Sequence, residues 1–179
     1  MSIVLPKAAL HDWRYVAQGR LGTTQRIRMQ NTTTETHASR CLCGTVRDEV
    51  VGRPRTTILC HCEYCQERTV SIKTLLVYFG REAVTRLSGP LENYRQVSDK
   101  SGRWIDSEFC QNCGSAVTWT LELVSVWRGF EAETFDNNAD FPYDTHMWTD
   151  SAHPSDCIRE TDTCFPERLA FTTEQLEQL

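Results

Sequence analysis

From Ser39 onward, short apolar runs alternate with turn residues at intervals too brief for long helices, which predicts a chain of strands. Thr45 to Val51 alternates in part before Gly52-Arg53-Pro54, and Thr56-Thr57-Ile58-Leu59 is a second run. Ile72 to Phe79 is apolar and β-branched and ends at Gly80; after the Gly89-Pro90 turn, Leu91 to Val97 is another strand. Asp99-Lys100-Ser101-Gly102 reads as a hairpin turn into a strand from Arg103 to Phe109. Ala116 to Leu121 and Val124 to Trp127 continue the sheet, Asp136 to Asp140 is a loop, and His146 falls in a short strand. Helical spacing occurs only over Ala8 to Ala17, through Leu10, Trp13 and Val16, and over Thr173 to Leu179. No segment repeats with a period of 20 to 50 residues. The expected fold class is mainly β: short antiparallel sheets with few helices.

Length favours one domain with a full core. Residues 1–37 form an N-terminal arm, a short helix broken by Gly19 and Gly22 and a Thr-rich linker from Asn31 to Thr36. The arm is compatible with covering the core, exchanging with a second subunit or staying disordered, and the sequence leaves these open. Residues 38–155 form the central domain, and residues 156–179 extend it.

The net charge is −5, with 24 acidic against 19 basic residues, which argues against a nucleic-acid partner. No apolar run approaches the roughly 20 residues of a membrane span. Pro6 and Lys7 interrupt the apolar residues of Met1 to Trp13, so no signal peptide is read there. Asn31-Thr32-Thr33 matches a glycosylation sequon, which is idle in a cytosolic protein.

Cysteine spacing adds the chemistry. There are nine cysteines, an odd number, and they cluster as metal ligands do: Cys41-x-Cys43, Cys60-His61-Cys62-x-x-Cys65 and Cys110-x-x-Cys113-Gly114. That points to a reducing, cytoplasmic setting. On a strand, a C-x-C pair puts both sulfurs on one face. A C-x-x-C-G pair is a knuckle whose glycine frees the backbone. Seven thiolates divide into four and three: Cys41, Cys43, Cys110 and Cys113 as two half-sites closing one tetrahedral zinc, and Cys60, Cys62 and Cys65 holding a second with an open position. The competing reading is one zinc and three buried thiols. Cys157 and Cys164 stand outside every cluster and read as ordinary thiols.

The order Cys41-x-Cys43-Gly44, Cys60-His61-Cys62-x-x-Cys65 and Phe109-Cys110-x-x-Cys113-Gly114-Ser115 resembles the glutathione-dependent formaldehyde-activating enzymes, a family that includes centromere protein V. Thr45-Val46-Arg47, Asn93-Tyr94-Arg95 and His146-Met147-Trp148-Thr149-Asp150-Ser151 add to the likeness, which spans roughly residues 38 to 155. The resemblance implies a β-tent zinc fold, with the four-cysteine zinc structural and the three-cysteine zinc catalytic. The chain departs from the family in two places. Gln66 to Ser71 lacks the glycine of the family's K-x-S-G stretch, and His153-Pro154-Ser155 stands where members have Pro-Trp after Asp-Ser.

Three thiolates on zinc carry a formal charge of −1, acidify bound water weakly and favour a fourth sulfur ligand. Such a site suits adding a thiol to a carbonyl or releasing it from an adduct. The leading expectation is a zinc-dependent carbon–sulfur lyase resembling S-hydroxymethylglutathione formation. It would use two zincs per chain and glutathione or another thiol as cosubstrate, with no membrane partner; a homo-oligomer is compatible. Cys60, Cys62 and Cys65 are the catalytic candidates. Glu63, Tyr64, Arg68 and His146 are the candidates for binding substrate, each with a structural alternative: solvated knuckle tip, surface ion pair, hydrogen-bonded core histidine. His61, between two ligands, points away from their zinc if on a strand, and Trp104, Trp119, Trp127 and Trp148 read as core, one of them walling the site. Two alternatives remain: the same scaffold acting on a larger non-formaldehyde substrate, or a non-catalytic zinc module.

Overall fold

A computed structural model describes residues 35–98 and 101–169 of the chain. In chain order the elements are β1 (Thr36–Arg40), β2 (Arg47–Val51), β3 (Thr56–Cys60), α1 (Glu63–Thr69), β4 (Thr74–Gly80), β5 (Val84–Ser88) and β6 (Leu91–Val97). Then follow β7 (Trp104–Cys110), β8 (Ala116–Leu121), β9 (Trp127–Glu131), β10 (Thr145–Met147) and β11 (Thr163–Phe165), with single 3₁₀ turns between. The architecture is mainly β, with one α-helix among the described residues. The helices expected over residues 8–17 and 173–179 lie outside the described residues, as do Asp99 and Lys100 of the expected hairpin turn.

One sheet has the order β1-β2-β5, the other β11-β10-β3-β4-β9-β8-β7-β6. Most pairings are antiparallel, but β10 runs parallel to both β3 and β11, a departure from the expected purely antiparallel sheets. The long connections before β10 and β11 make those parallel pairings accessible.

Strand parity sorts the core. On β4 every residue is buried, because both faces of this central strand are covered. Leu76 and Tyr78 join Ile58, Cys60, Trp119, Trp127 and Trp148 in one cluster. Leu75, Val77 and Phe79 join Leu59, Phe130, Phe135 and Phe141 on the opposite face. Burying each such side chain contributes about 1.5–3 kcal/mol.

Two local expectations change. Val124 to Trp127 is not a strand: Glu122–Val124 forms a 3₁₀ turn and β9 begins at Trp127. Val124 and Trp127 are buried while Val126 is half exposed, a three-residue spacing that anchors a turn. The stretch after Cys62 is the helix α1, so Glu63 and Tyr64 sit in a helical first turn and not at a knuckle tip.

Candidate functional site

Cys41 and Cys43 follow β1 in a tight turn, not on the strand expected from their spacing. Gly44, with φ of 72°, donates its N–H to Cys41 O at 3.0 Å and folds the two sulfurs to 3.4 Å of each other. Cys110 ends β7, and the turn closed by Gly114 N–H to Cys110 O at 2.8 Å brings Cys113 back beside it. Cys43 Sγ lies 3.8 Å from Cys110 Sγ, and all four sulfurs lie within 4.8 Å of one another. Ligands 2.3 Å from one tetrahedral ion stand about 3.8 Å apart, so these four fit a shared metal.

Hydrogen-bond donors surround this cluster. Val46 N–H reaches Cys41 Sγ at 3.3 Å, Asn112 Nδ2 reaches Cys43 Sγ at 3.3 Å, and Ser115 Oγ lies 3.3 Å from Cys113 Sγ. Hydrogen bonds with the Thr45 hydroxyl and then Asn112 lower Cys43 to about 5. Burial pushes Cys110 up to about 11.

The second cluster is built from a strand end and a helix start. Cys60 is the last residue of β3, Cys62 the N-cap of α1, and Cys65 lies in its first turn, with Cys65 N–H donating to Cys62 Sγ at 3.4 Å. Cys60 and Cys62 sulfurs are 3.4 Å apart, and all three cysteines are buried with their sulfurs within 4.8 Å. Hydrogen bonds from Cys60 and then Cys65 bring Cys62 down to about 4. The Cys60 hydrogen bond lowers Cys65, but its bond to Cys62 and its burial outweigh that and push it up to about 12. One buried thiolate is therefore easy to form and a second is not, unless a cation sits among them. That is the charge pattern of a three-sulfur metal site.

A buried chain of polar groups holds the loop between Cys60 and Cys62. His61 Nε2 lies 2.9 Å from His146 Nδ1, and His61 Nδ1 faces Asp156 Oδ2 at 3.2 Å. His146 Nε2 meets Asp162 at 3.0 Å, Lys73 pairs with Asp156, and Arg159 pairs with Asp162. Burial keeps His61 below its ordinary value. Gln66 Nε2 donates to His61 O at 2.6 Å and to Ser151 O at 2.9 Å, tying the same loop to the chain after β10.

A cavity of about 100 Å³ opens on Cys60, Cys62 and Cys65. Its wall comes from strands far apart in sequence: Tyr78 of β4, Trp104 and Ile105 of β7, Trp119 and Leu121 of β8, Met147 and Trp148 at β10. Tyr64 lines it, its hydroxyl 3.2 Å from Ser107 Oγ, and burial raises its phenol above the ordinary value. Arg68 also lines it, 5.9 Å from the centroids of both Tyr64 and Trp119. Its guanidinium is paired with the buried Glu131, whose carboxyl burial pushes upward. Arg68 also acts on Cys62 and Cys65, favouring their charged forms.

Of the four substrate-binding candidates, the structure brings Tyr64 and Arg68 to the cavity. Glu63 is exposed and is not part of the wall. His146 is 1% exposed and lies on the opposite face of β10 from Met147, because it pairs with Leu59 while Met147 pairs with Cys60. Sequence reasoning missed Arg103 and Glu131. Arg103 stands half-buried at the cavity mouth, and among the described residues nothing accepts from its guanidinium. Its place directly after a hairpin turn was the one available signal. Glu122, on the same rim, accepts from Trp104 N–H at 2.9 Å. Cys157 and Cys164 are exposed and join neither cluster.

The family model described as glutathione-dependent formaldehyde-activating enzyme matches residues 36–151, more than half of the 179-residue chain. No curated protein matches the sequence. A crystal structure of a Rhodobacter sphaeroides protein superimposes with a TM-score of 0.46 at 18% identity, over 57% of this chain and 93% of that one.

Proposed function

The chain belongs to the glutathione-dependent formaldehyde-activating enzyme family, and from that premise we propose a zinc-dependent carbon–sulfur lyase acting on a thiol adduct. The observation that carries the reading is three buried cysteine sulfurs grouped within 4.8 Å of one another beside a cavity, an arrangement that would suit a metal with room for an incoming ligand. Cys60, Cys62 and Cys65 would hold the catalytic zinc, and Cys41, Cys43, Cys110 and Cys113 a structural one. When bound, the catalytic zinc supplies a site that lowers a thiol's pKa while leaving its sulfur nucleophilic.

The protein's own groups do the rest. Arg68, fixed by Glu131, offsets the negative charge of the cysteine cluster and stays beside it. The Tyr64 hydroxyl, kept protonated by burial, is placed to donate to a carbonyl oxygen as the carbon takes the sulfur. Ser107 orients that hydroxyl. Arg103 is the cation at the mouth left to meet a thiol's carboxylate, since Arg68 already has its partner. His146 acts at a distance, bracing the Cys60–Cys62 loop through His61. The metal-ligand spacing of seven cysteines favours a reducing, cytoplasmic setting. No helix among the described residues is long and apolar enough to cross a membrane.

Cobalt substitution tests the reading. Glutathione added to the cobalt-loaded protein should intensify the thiolate charge-transfer absorption, and calorimetry should show binding. A spectrum unchanged by glutathione and by small thiols, with no heat of binding, overturns it.

A further inference from the structure

The cavity over the three-cysteine cluster is walled for a larger guest than a one-carbon carbonyl. Tyr78 and Trp119 meet edge to face at 4.7 Å. Both pair in register with Gly129 of β9, where a Cβ would stand 2.4 Å from the Trp119 ring, so the glycine gives the indole its place. Trp148, on the other side, is held at φ of 62°, a left-handed conformation that a bulky residue adopts at a cost of order 1–3 kcal/mol. Its N–H to Glu167 O at 2.8 Å fixes it there. Arg68, which acts on the sulfurs, is ion-paired with Glu131 and so is not left over for a charge on the substrate. A formaldehyde-sized guest would leave most of this cavity of about 100 Å³ unfilled.

We infer that the carbonyl substrate of this chain carries an apolar body of about ring size, an aromatic or branched aliphatic aldehyde. The inference rests on the lyase reading and names the partner of the thiol. In the addition, the sulfur–carbon bond forms and the carbonyl double bond becomes a single carbon–oxygen bond. The thiol proton ends on that oxygen, nothing is oxidised or reduced, and the reverse step releases aldehyde and thiol. The ring packs against Tyr78, Trp119 and Trp148 and fills the apolar cavity they wall.

The test uses the full chain loaded with zinc and a fixed concentration of glutathione. Formaldehyde, acetaldehyde, 3-methylbutanal and benzaldehyde are compared by the enzyme-dependent rate of adduct exchange in NMR. The expected order has kcat/KM for benzaldehyde or 3-methylbutanal exceeding that for formaldehyde by at least about tenfold. In Leu123→Ser, which makes the half-buried rim more polar, that ratio should shrink by about tenfold. Quenching of tryptophan fluorescence by benzaldehyde should weaken in parallel. Formaldehyde turned over as fast as every larger aldehyde overturns the inference and leaves the lyase reading standing. No acceleration with any aldehyde, from folded protein carrying both metals, sinks the lyase reading and the inference with it.

Discussion

The two cysteine clusters differ less in their sulfurs than in what touches those sulfurs. Around Cys41, Cys43, Cys110 and Cys113, polar groups crowd in: Val46 N–H and Asn112 donate to a sulfur, and the hydroxyls of Thr45 and Ser115 lie beside the sulfurs of Cys43 and Cys113. Each donor draws charge from sulfur and dulls it as a nucleophile. Cys43 is exposed and Cys113 half-buried, so the cluster sits at the surface where two turns meet. Around Cys60, Cys62 and Cys65 the protein places one backbone N–H, aromatic rings and an ion-paired arginine. Cys62 is the one of the three that ionises readily, brought down to about 4 by hydrogen bonds from Cys60 and Cys65. On the proposed reading, the sulfurs crowded by polar groups serve as a clamp, and the three under a cavity, with few donors around them, serve as the reactive centre.

The largest effects should separate the clusters by stability. Cys41→Ser or Cys113→Ser removes one of the proposed ligands of a metal joining the turn after β1 to the turn after β7. A structural metal of this kind contributes about 10–16 kcal/mol, as much as a whole domain's stability. These variants should lose cooperative thermal unfolding in circular dichroism. Cys62→Ser should keep the fold, bind one metal fewer and lose activity. Chelation of the native chain should strip the three-cysteine site first, as metal analysis after graded chelator would show. If Cys62→Ser unfolds while Cys41→Ser stays native, the roles of the clusters are exchanged.

A smaller effect should appear in the cavity wall alone. Gly129→Ala puts a methyl group 2.4 Å from the Trp119 ring, which must move. Overpacking of this kind costs about 1–3 kcal/mol. Both metals should remain bound while KM for the aldehyde rises. Metal loss in this variant would mean that the cavity and the cluster are one mechanical unit.

Smaller still is the strain at the end of α1. Val70 sits at φ of 53°, in the region that favours glycine, and its side chain is 93% exposed. The helix ends on a β-branched residue in a left-handed conformation. Val70→Gly should raise stability by about 1 kcal/mol, read from the denaturation midpoint, with activity unchanged. A loss of stability would mean that the Val70 side chain makes a contact the exposed surface conceals.

What the sequence displayed and what it concealed divide along the same line as the clusters. The grouping of ligands was legible because sequence spacing alone brings Cys60, Cys62 and Cys65 together. Leu91 to Val97 and Ala116 to Leu121 coincide with β6 and β8, since turn residues bracket each run. The helix α1 was concealed because Glu63 to Thr69 buries only Cys65 and so shows no apolar period. The edge strand β5 is largely exposed and β11 is three residues long, so neither carries an alternating signal. The cavity was illegible for another reason: Trp104, Trp119 and Trp148 look like core residues until the sheet order places them over one cluster. Arg68 read equally as a substrate anchor and as a surface ion pair, because nothing local announced the buried Glu131 on β9 as its partner.

The smallest effect belongs to the two cysteines that joined neither cluster. Cys157 and Cys164 are exposed, and the contact of the Cys164 sulfur is a long one, 3.8 Å to Asp162 O. Neither buries a sulfur, so Cys157→Ser and Cys164→Ser exchange one solvated group for another. Each should change stability by less than about 0.5 kcal/mol and leave the metal content unaltered. Cys164 nevertheless lies on β11, paired with His146, and Cys157 follows Asp156, so both flank the polar chain that braces the Cys60–Cys62 loop. Their silence is therefore a sharp control. A serine at either position that lowered metal content at the three-cysteine site would show the bracing chain to be marginal. Equal metal content would confine the chemistry to the seven clustered sulfurs.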